Sequence, residues 1–229
     1  MSRDQAYRVR HRSISPLGET NHALGVLNLF GAQVVVDLYT QWFLSGFCFH
    51  MQCGTEDAPV TTQGPLDDTK PFILADNNSG IMVPLVYDVN IAGHTTSTAV
   101  EAMLEVDMDK KRFSSGTTSW TPEQMNNAAT TAPAANGTFY TTDGGDITAA
   151  AKSAVPASVE LARRTFSEDA ITTLVGEQMG LIPVFSVRTQ LPVLANTPSS
   201  ILGHFGSATA DATGYATLNF AQFSATLAW

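Results

Sequence analysis

Charge is the scarcest ingredient of this 229-residue chain: 14% of its residues are charged, against 44% hydrophobic. A sequence of that balance is neither a disordered segment nor a coiled coil. Cysteine is nearly absent too. Cys48 and Cys53 are the two present, too few for a disulfide framework. If Phe47 to Cys53 is a strand, their odd spacing puts them on opposite faces, which disfavours a bridge and leaves two buried, reduced thiols. Long hydrophobic runs are missing as well. Leu24 to Cys53 is the most apolar region, but Asn28, Gln33, Asp37, Gln41 and His50 interrupt it, so no transmembrane segment is expected. The first twelve residues are polar and basic with no apolar run behind them, and no secretion signal is expected.

Catalytic and ligand-binding signatures are also lacking. The histidines are His11, His22, His50, His94 and His204, and none stands at a metal-binding spacing. Cys48 and His50 would share one strand face, but no second pair completes a tetrahedron. Glu56/Asp57, Asp67/Asp68 and Asp143-Gly-Gly-Asp146 could offer loop oxygens to calcium, yet they read more simply as solvated turns. No nucleophile elbow and no phosphate-cradling glycine motif occurs. The expectation is a chain without cofactor or metal that is not an enzyme.

What is present is alternation. From Ile81 to Asp109, Val83, Leu85, Tyr87, Val89 and Ile91 share one parity, then Val100, Ala102, Leu104, Val106 and Met108 alternate with Glu101, Glu105, Asp107 and Asp109. Period two predicts two half-buried strands, read here as an antiparallel hairpin around the Gly93 loop and closed by the basic trio Lys110, Lys111 and Arg112. The second arm also fits a helical stripe, with Thr98 and Glu101 as a capping box.

Elsewhere, Val26 to Phe30, Gln33 to Leu44 and Phe47 to Cys53 favour two or three buried strands, with a helix through Val34 to Leu44 as the alternative. Gly54 to Pro71 reads as an acidic surface loop, Phe72 to Ala75 as a strand, and Asp76 to Gly80 as a turn. Ser114 to Asp146 is a Thr/Ala/Gly-rich excursion with a helical turn at Pro122 to Asn126 capped by Thr121. A weak helix is expected over Ile147 to Val155 and a strong one over Ser167 to Gly180, with strands at Leu181 to Leu194 and from Tyr215 toward Trp229. The fold class is therefore mainly β: an antiparallel β-sandwich with one long inserted loop (114–146) and one or two short helices. Residues 1–20 form a basic arm and connector, and residues 21–229 one sandwich domain. The arm carries Arg3, Arg8, Arg10 and Arg12, giving a local charge of +3 over residues 1–13, while the other 216 residues sum to −12.

The Arg-bearing start, the length, the excursion and the apolar end at Trp229 together resemble the jelly-roll coat proteins of icosahedral viruses. That resemblance implies a single jelly roll that assembles with copies of itself, and with other capsid proteins, into a virion shell inside the host cell. It further implies inner-surface or phosphate contact by Arg3, Arg8, Arg10 and Arg12, and intersubunit contact by Trp120, Phe139, Tyr140, Phe223 and Trp229. Four arginines offset few phosphates, so nucleic-acid contact by one arm is expected to be weak. The alternative is a non-catalytic β-sandwich that binds carbohydrate or a receptor through its loops, with Trp42, Trp120 and Tyr140 as stacking residues.

Overall fold

The computed structural model describes residues 38–93, 99–116, 119–126, 134–166, 182–188, 195–196, 198–208 and 212–223. One helix, α1 (Leu38–Leu44), precedes the strands β1 (Cys48–Cys53), β2 (Val60–Thr61), β3 (Ile73–Asn77), β4 (Ile81–Gly93), β5 (Val100–Asp107), β6 (Phe113–Ser115) and β7 (Glu123–Gln124). Then come β8 (Gly137–Thr141), β9 (Thr148–Ala149), β10 (Ser158–Phe166), β11 (Ile182–Arg188), β12 (Ala195–Asn196), β13 (Ser199–Ser207) and β14 (Thr213–Phe223). Among the described residues no helix is long and apolar enough to cross a membrane.

The strands form two antiparallel sheets that face each other across one core, as a β-sandwich. The first runs β11-β4-β14-β1-β7, with β12 on β4 and β2 on β14; the second runs β10-β5-β13-β3-β8. Eight strands make the body, and their pairing is nested along the chain. The first pairs with the last (β1 with β14), the second with the seventh (β3 with β13), the third with the sixth (β4 with β11) and the fourth with the fifth (β5 with β10). Alternate pairs go to alternate sheets.

The expected hairpin is corrected by this order. Both arms are strands, and the helical alternative for the second fails: Val100, Ala102, Leu104 and Val106 line the core while Glu101, Met103, Glu105 and Asp107 face the other way. The arms do not pair, because β4 lies in the first sheet and β5 in the second. Alternation specifies a half-buried strand but not its neighbour. Within β4 the parity also breaks. The register with β14 slips between Asn219, opposite Val86, and Phe220, opposite Pro84, so that the pairing skips one residue of β4. A bulge of this kind turns the following side chains over. Tyr87, Val89 and Ile91 therefore face the main core together with Met82, whereas Ile81, Val83 and Leu85 face outward onto a second cluster.

That second cluster contains Trp42, Cys48, Ala221 and Phe223, and α1 lies on it. The strand favoured across Gln33 to Leu44 gives way to its helical alternative, which the described residues show at Leu38–Leu44. Its end is set by Gly46 at φ 75°, where the Gly46 N–H reaches Phe43 O and the Phe47 N–H reaches Trp42 O, both at 3.0 Å. This left-handed stop suits glycine and closes the last turn. Cys48 and Cys53 fall on opposite faces of β1, both free and buried.

Three further expectations give way. Pro122 to Asn126 holds the short strand β7, which pairs with Phe49 and His50, and not a helical turn. Ile147 to Val155 holds β9 in place of a weak helix, since Phe113 and Ser115 offer it a ladder. Asp76 and Asn77 are buried strand residues of β3, and the turn begins after them. Strands β10 and β13 were not anticipated. The helix expected over Ser167 to Gly180 lies outside the described residues.

The sheets interlock through Tyr87. Its ring, on β4, lies against the backbone of Gly203 on β13, and its hydroxyl donates to His204 O at 3.1 Å. A Cβ at position 203 would sit 2.4 Å from Tyr87 Cε2. Gly203→Ala is therefore expected to lower stability by about 1–3 kcal/mol through overpacking, measured as a shift of the urea midpoint with unchanged slope.

Candidate functional site: a buried ion cluster on the second sheet

A sheet face that alternates acidic residues ordinarily meets water. Here the outward face of β5 does not, because the segment after it folds back across the second sheet. Arg112 is the pivot and is fully buried. Its Nη1 donates to Glu105 Oε1 at 2.9 Å and lies 3.4 Å from Asp107 Oδ2, Nη2 donates to Asp68 O at 2.7 Å, and Nε to Ala150 O at 2.6 Å. The main-chain N–H groups of Arg112 and Phe113 donate to Asp76 Oδ1 and Oδ2 at 3.0 and 3.1 Å. Ser158 Oγ donates to Glu105 Oε1 at 2.7 Å, and the Ser153 N–H to Asp107 Oδ2 at 2.9 Å. One guanidinium thus binds β5 to the loops at residues 68 and 150. The basic trio expected at a hairpin end is not a surface cluster, since its third member is interior.

Burial would push the Asp107 carboxyl up, but hydrogen bonds from Ser153 and Asp109 and the charge of Arg112 outweigh it and hold the group below its ordinary 3.8. His204 lies beside the cluster, 1% exposed, with Nε2 3.9 Å from Glu105 Oε2 and no hydrogen bond to either ring nitrogen. Burial takes its pKa from 6.5 down to about 4 even though Glu105 pulls the other way. The ring is neutral near pH 7, so His204 and Glu105 form no ion pair there.

A cavity of about 440 Å3 opens beside this cluster. Leu66, Met103 and Val155 supply its apolar wall, and Asp67, Asp68, Glu105, Lys152, Glu160 and Arg163 line the rest. These charges are satisfied among themselves. Lys152 pairs with Asp68 at 3.5 Å, Arg163 grips Glu160 through two hydrogen bonds of 3.0 and 2.9 Å, and Asp67 accepts from the Thr69 N–H and Oγ1, which hold its pKa below the ordinary value. No aromatic ring lines the space. Among the described residues no three His, Cys, Asp or Glu side chains gather as a metal would require. Burial raises the thiols of Cys48 and Cys53 to about 11 and 12, the reverse of an activated nucleophile.

Comparison with family models, curated proteins and solved structures finds no match.

The residues singled out from the sequence are dispersed. Phe139 is 4% exposed and stacks on Phe220, with ring centroids 5.5 Å apart; Phe223 is 9% exposed and meets Trp42 edge-on at 4.8 Å. Both pack into hydrophobic clusters of the chain itself. Tyr140 is half-buried under Phe113, the two rings parallel within 2° at 3.6 Å. Trp120 is half-buried against the main core, its indole N–H enclosed without a hydrogen bond. Arg3, Arg8, Arg10, Arg12 and Trp229 lie outside the described residues. Arg112, Glu105, Asp107, Asp76 and His204 were missed as a group. The available signal was two carboxylates on one parity of β5 followed at once by a lone arginine after two lysines.

Replacing Arg112 by Leu would leave Glu105 and Asp107 buried without a counter-charge, with an expected loss of about 3–5 kcal/mol read by denaturant unfolding. Acid acts on the same cluster. Because His204 titrates lower in the folded chain than its ordinary 6.5, the unfolded chain binds the extra proton between pH 6.5 and about 4, and stability falls as pH drops through that window. The His204 contribution amounts to about 3 kcal/mol. Asp107 adds a further loss below its ordinary 3.8. Urea midpoints measured across this range should decline for the native chain and flatten between pH 6.5 and 4 in His204→Gln.

Proposed function

We propose that this chain is a jelly-roll coat subunit, a structural protein that meets copies of itself in a closed shell. The nested strand order carries the reading: four antiparallel pairs, first with last through fourth with fifth, dealt alternately to two facing sheets. That is the connectivity a jelly roll requires, and the architecture serves viral shells and lectins alike. Between those two, the disposition of the aromatic rings favours the shell. Trp42 is packed on Phe223, Tyr140 is covered by Phe113, and the cavity beside the Arg112 cluster has no ring against which a sugar could stack.

A body of this kind supports lateral contact more than catalysis. Its core and the outer face of its second sheet are closed by the chain itself, so the strands form a rigid block. Among the described residues the large apolar side chains left in solvent are Phe43, Leu44, Met125 and Val155, on α1 and on loops. Individually weak contacts through such residues become a stable shell by number and symmetry. The −12 charge outside the arm suits a shell whose genome is kept from it by a membrane or a second protein.

Sedimentation and electron microscopy of the purified full-length chain test this proposal. Capsomers or closed particles are expected. A monomer that persists at every concentration and ionic strength, while binding glycans on an array, would replace the shell by the binding module.

A further inference from the structure

We infer that Asn136–Gly137 is a self-modifying site, where the chain deamidates through a succinimide and reroutes its own backbone. It is the sole Asn-Gly step in the sequence. Asn136 is exposed and precedes β8 directly, and among the described residues nothing hydrogen-bonds its side-chain amide. Its main chain, by contrast, is clamped. The Asn136 N–H donates to Gln222 Oε1 at 2.7 Å, and Asn136 O accepts from Gln222 Nε2 at 2.7 Å and from the Asn78 N–H at 3.1 Å.

That clamp also sets the direction of the next N–H. Donor directions alternate along an antiparallel strand, so if the polar groups of Asn136 point toward β3, the N–H of its successor points away from it. Gly137 pairs with Asn77 in that register, and β8 is the last strand of its sheet. Its N–H thus faces away from β3, on the side that Ser119 and Trp120 bridge only farther along the strand, at Tyr140 and Phe139, and among the described residues no acceptor holds it. A Cβ at 137 would lie 2.4 Å from Asp76 O and 2.6 Å from Phe139 Cζ, so the fold requires glycine there. Half-buried Gly137 therefore carries no side chain to crowd its own nitrogen, and the packing at Asp76 is what keeps the Asn-Gly step in the sequence.

The chemistry needs only water. Gly137 N gives its proton to solvent base and attacks Asn136 Cγ; the N–Cγ bond forms, the Cγ–Nδ2 bond breaks, and ammonia departs with a proton from solvent. Water then opens the ring at either carbonyl, yielding aspartate or isoaspartate, with no change of oxidation state. In isoaspartate the backbone runs through Cβ and Cγ, and the former main-chain carbonyl becomes a free carboxylate. Asn136 O is then lost as the carbonyl shared by Asn78 on the second sheet and Gln222 on the first. This chemistry does not depend on what the chain assembles into.

The test is to age the folded full-length protein in mildly acidic and mildly alkaline buffers and map isoaspartate by enzymatic methyl labelling and peptide mass. Label is expected at the Asn136 peptide, rising about tenfold per pH unit because the attacking species is a deprotonated amide, with a matching fall in unfolding temperature. Asn136→Gln should abolish both changes. The wild-type chain aged in denaturant supplies the comparison if that variant does not fold. Labelling no faster than at the Asn78–Ser79 turn, or confined to the denatured sample, overturns the proposal.

Discussion

The burial of one guanidinium organises the outer half of this molecule. Arg112 enters an interior that already holds Glu105, Asp107 and Asp76, and each of these would be costly to enclose alone. Together they exchange hydrogen bonds that fix where the chain after β5 must lie. The two-stranded ladder of β6 and β9, the Phe113–Tyr140 stack and the loop at Asp68 all take position around that point. The segment rich in Thr, Ala and Gly is also held by a small apolar cluster, in which Ile147 and Ala149 pack with Leu74 and Leu202 under Phe113 and Tyr140, and the polar contacts of Arg112 add direction to it.

The inner half rests on different physics. Twenty-one buried side chains form one continuous core between the sheets, and Tyr87 crosses it to reach His204 O beside the bare backbone of Gly203. At the opposite end Gln222, from the first sheet, donates to Asn77 Oδ1 of the second at 2.9 Å and to Asn136 O. Apolar burial supplies the driving force, while these two polar crossings fix how the sheets register.

Much of this was legible in advance, for reasons particular to each element. The alternation of Val100 to Val106 against Glu101, Glu105 and Asp107 identified β5, because a side chain's face follows directly from its parity. The partners of β4 and β5 were not legible. Period two is a property of one strand, and pairing is decided by which other strands compete. Pro122 to Asn126 misled because a cap-and-proline signal is weak beside a vacant edge on β1, where Glu123 and Gln124 add a short rung. The ring partners of Phe139 and Phe223, Phe220 and Trp42, were not legible either, since each lies far away along the chain. Of the cluster around Arg112 only the local part, Glu105 and Asp107 on one parity ahead of Arg112, left a signal; Asp76 and His204 are far away in sequence and join it only when the second sheet forms.

The pairing of β1 with β14 has a temporal side. β14 lies between β1 and β4, so the middle of the first sheet stays open until Phe223 has left the ribosome. Until then β1 and β4 each keep one edge unpaired, the condition in which extended segments aggregate. Loop closure over such a separation is slow compared with local pairing. A chain built this way seals the middle of its first sheet only when β14 slides between β1 and β4, so the order of its strands along the chain is also an order of folding.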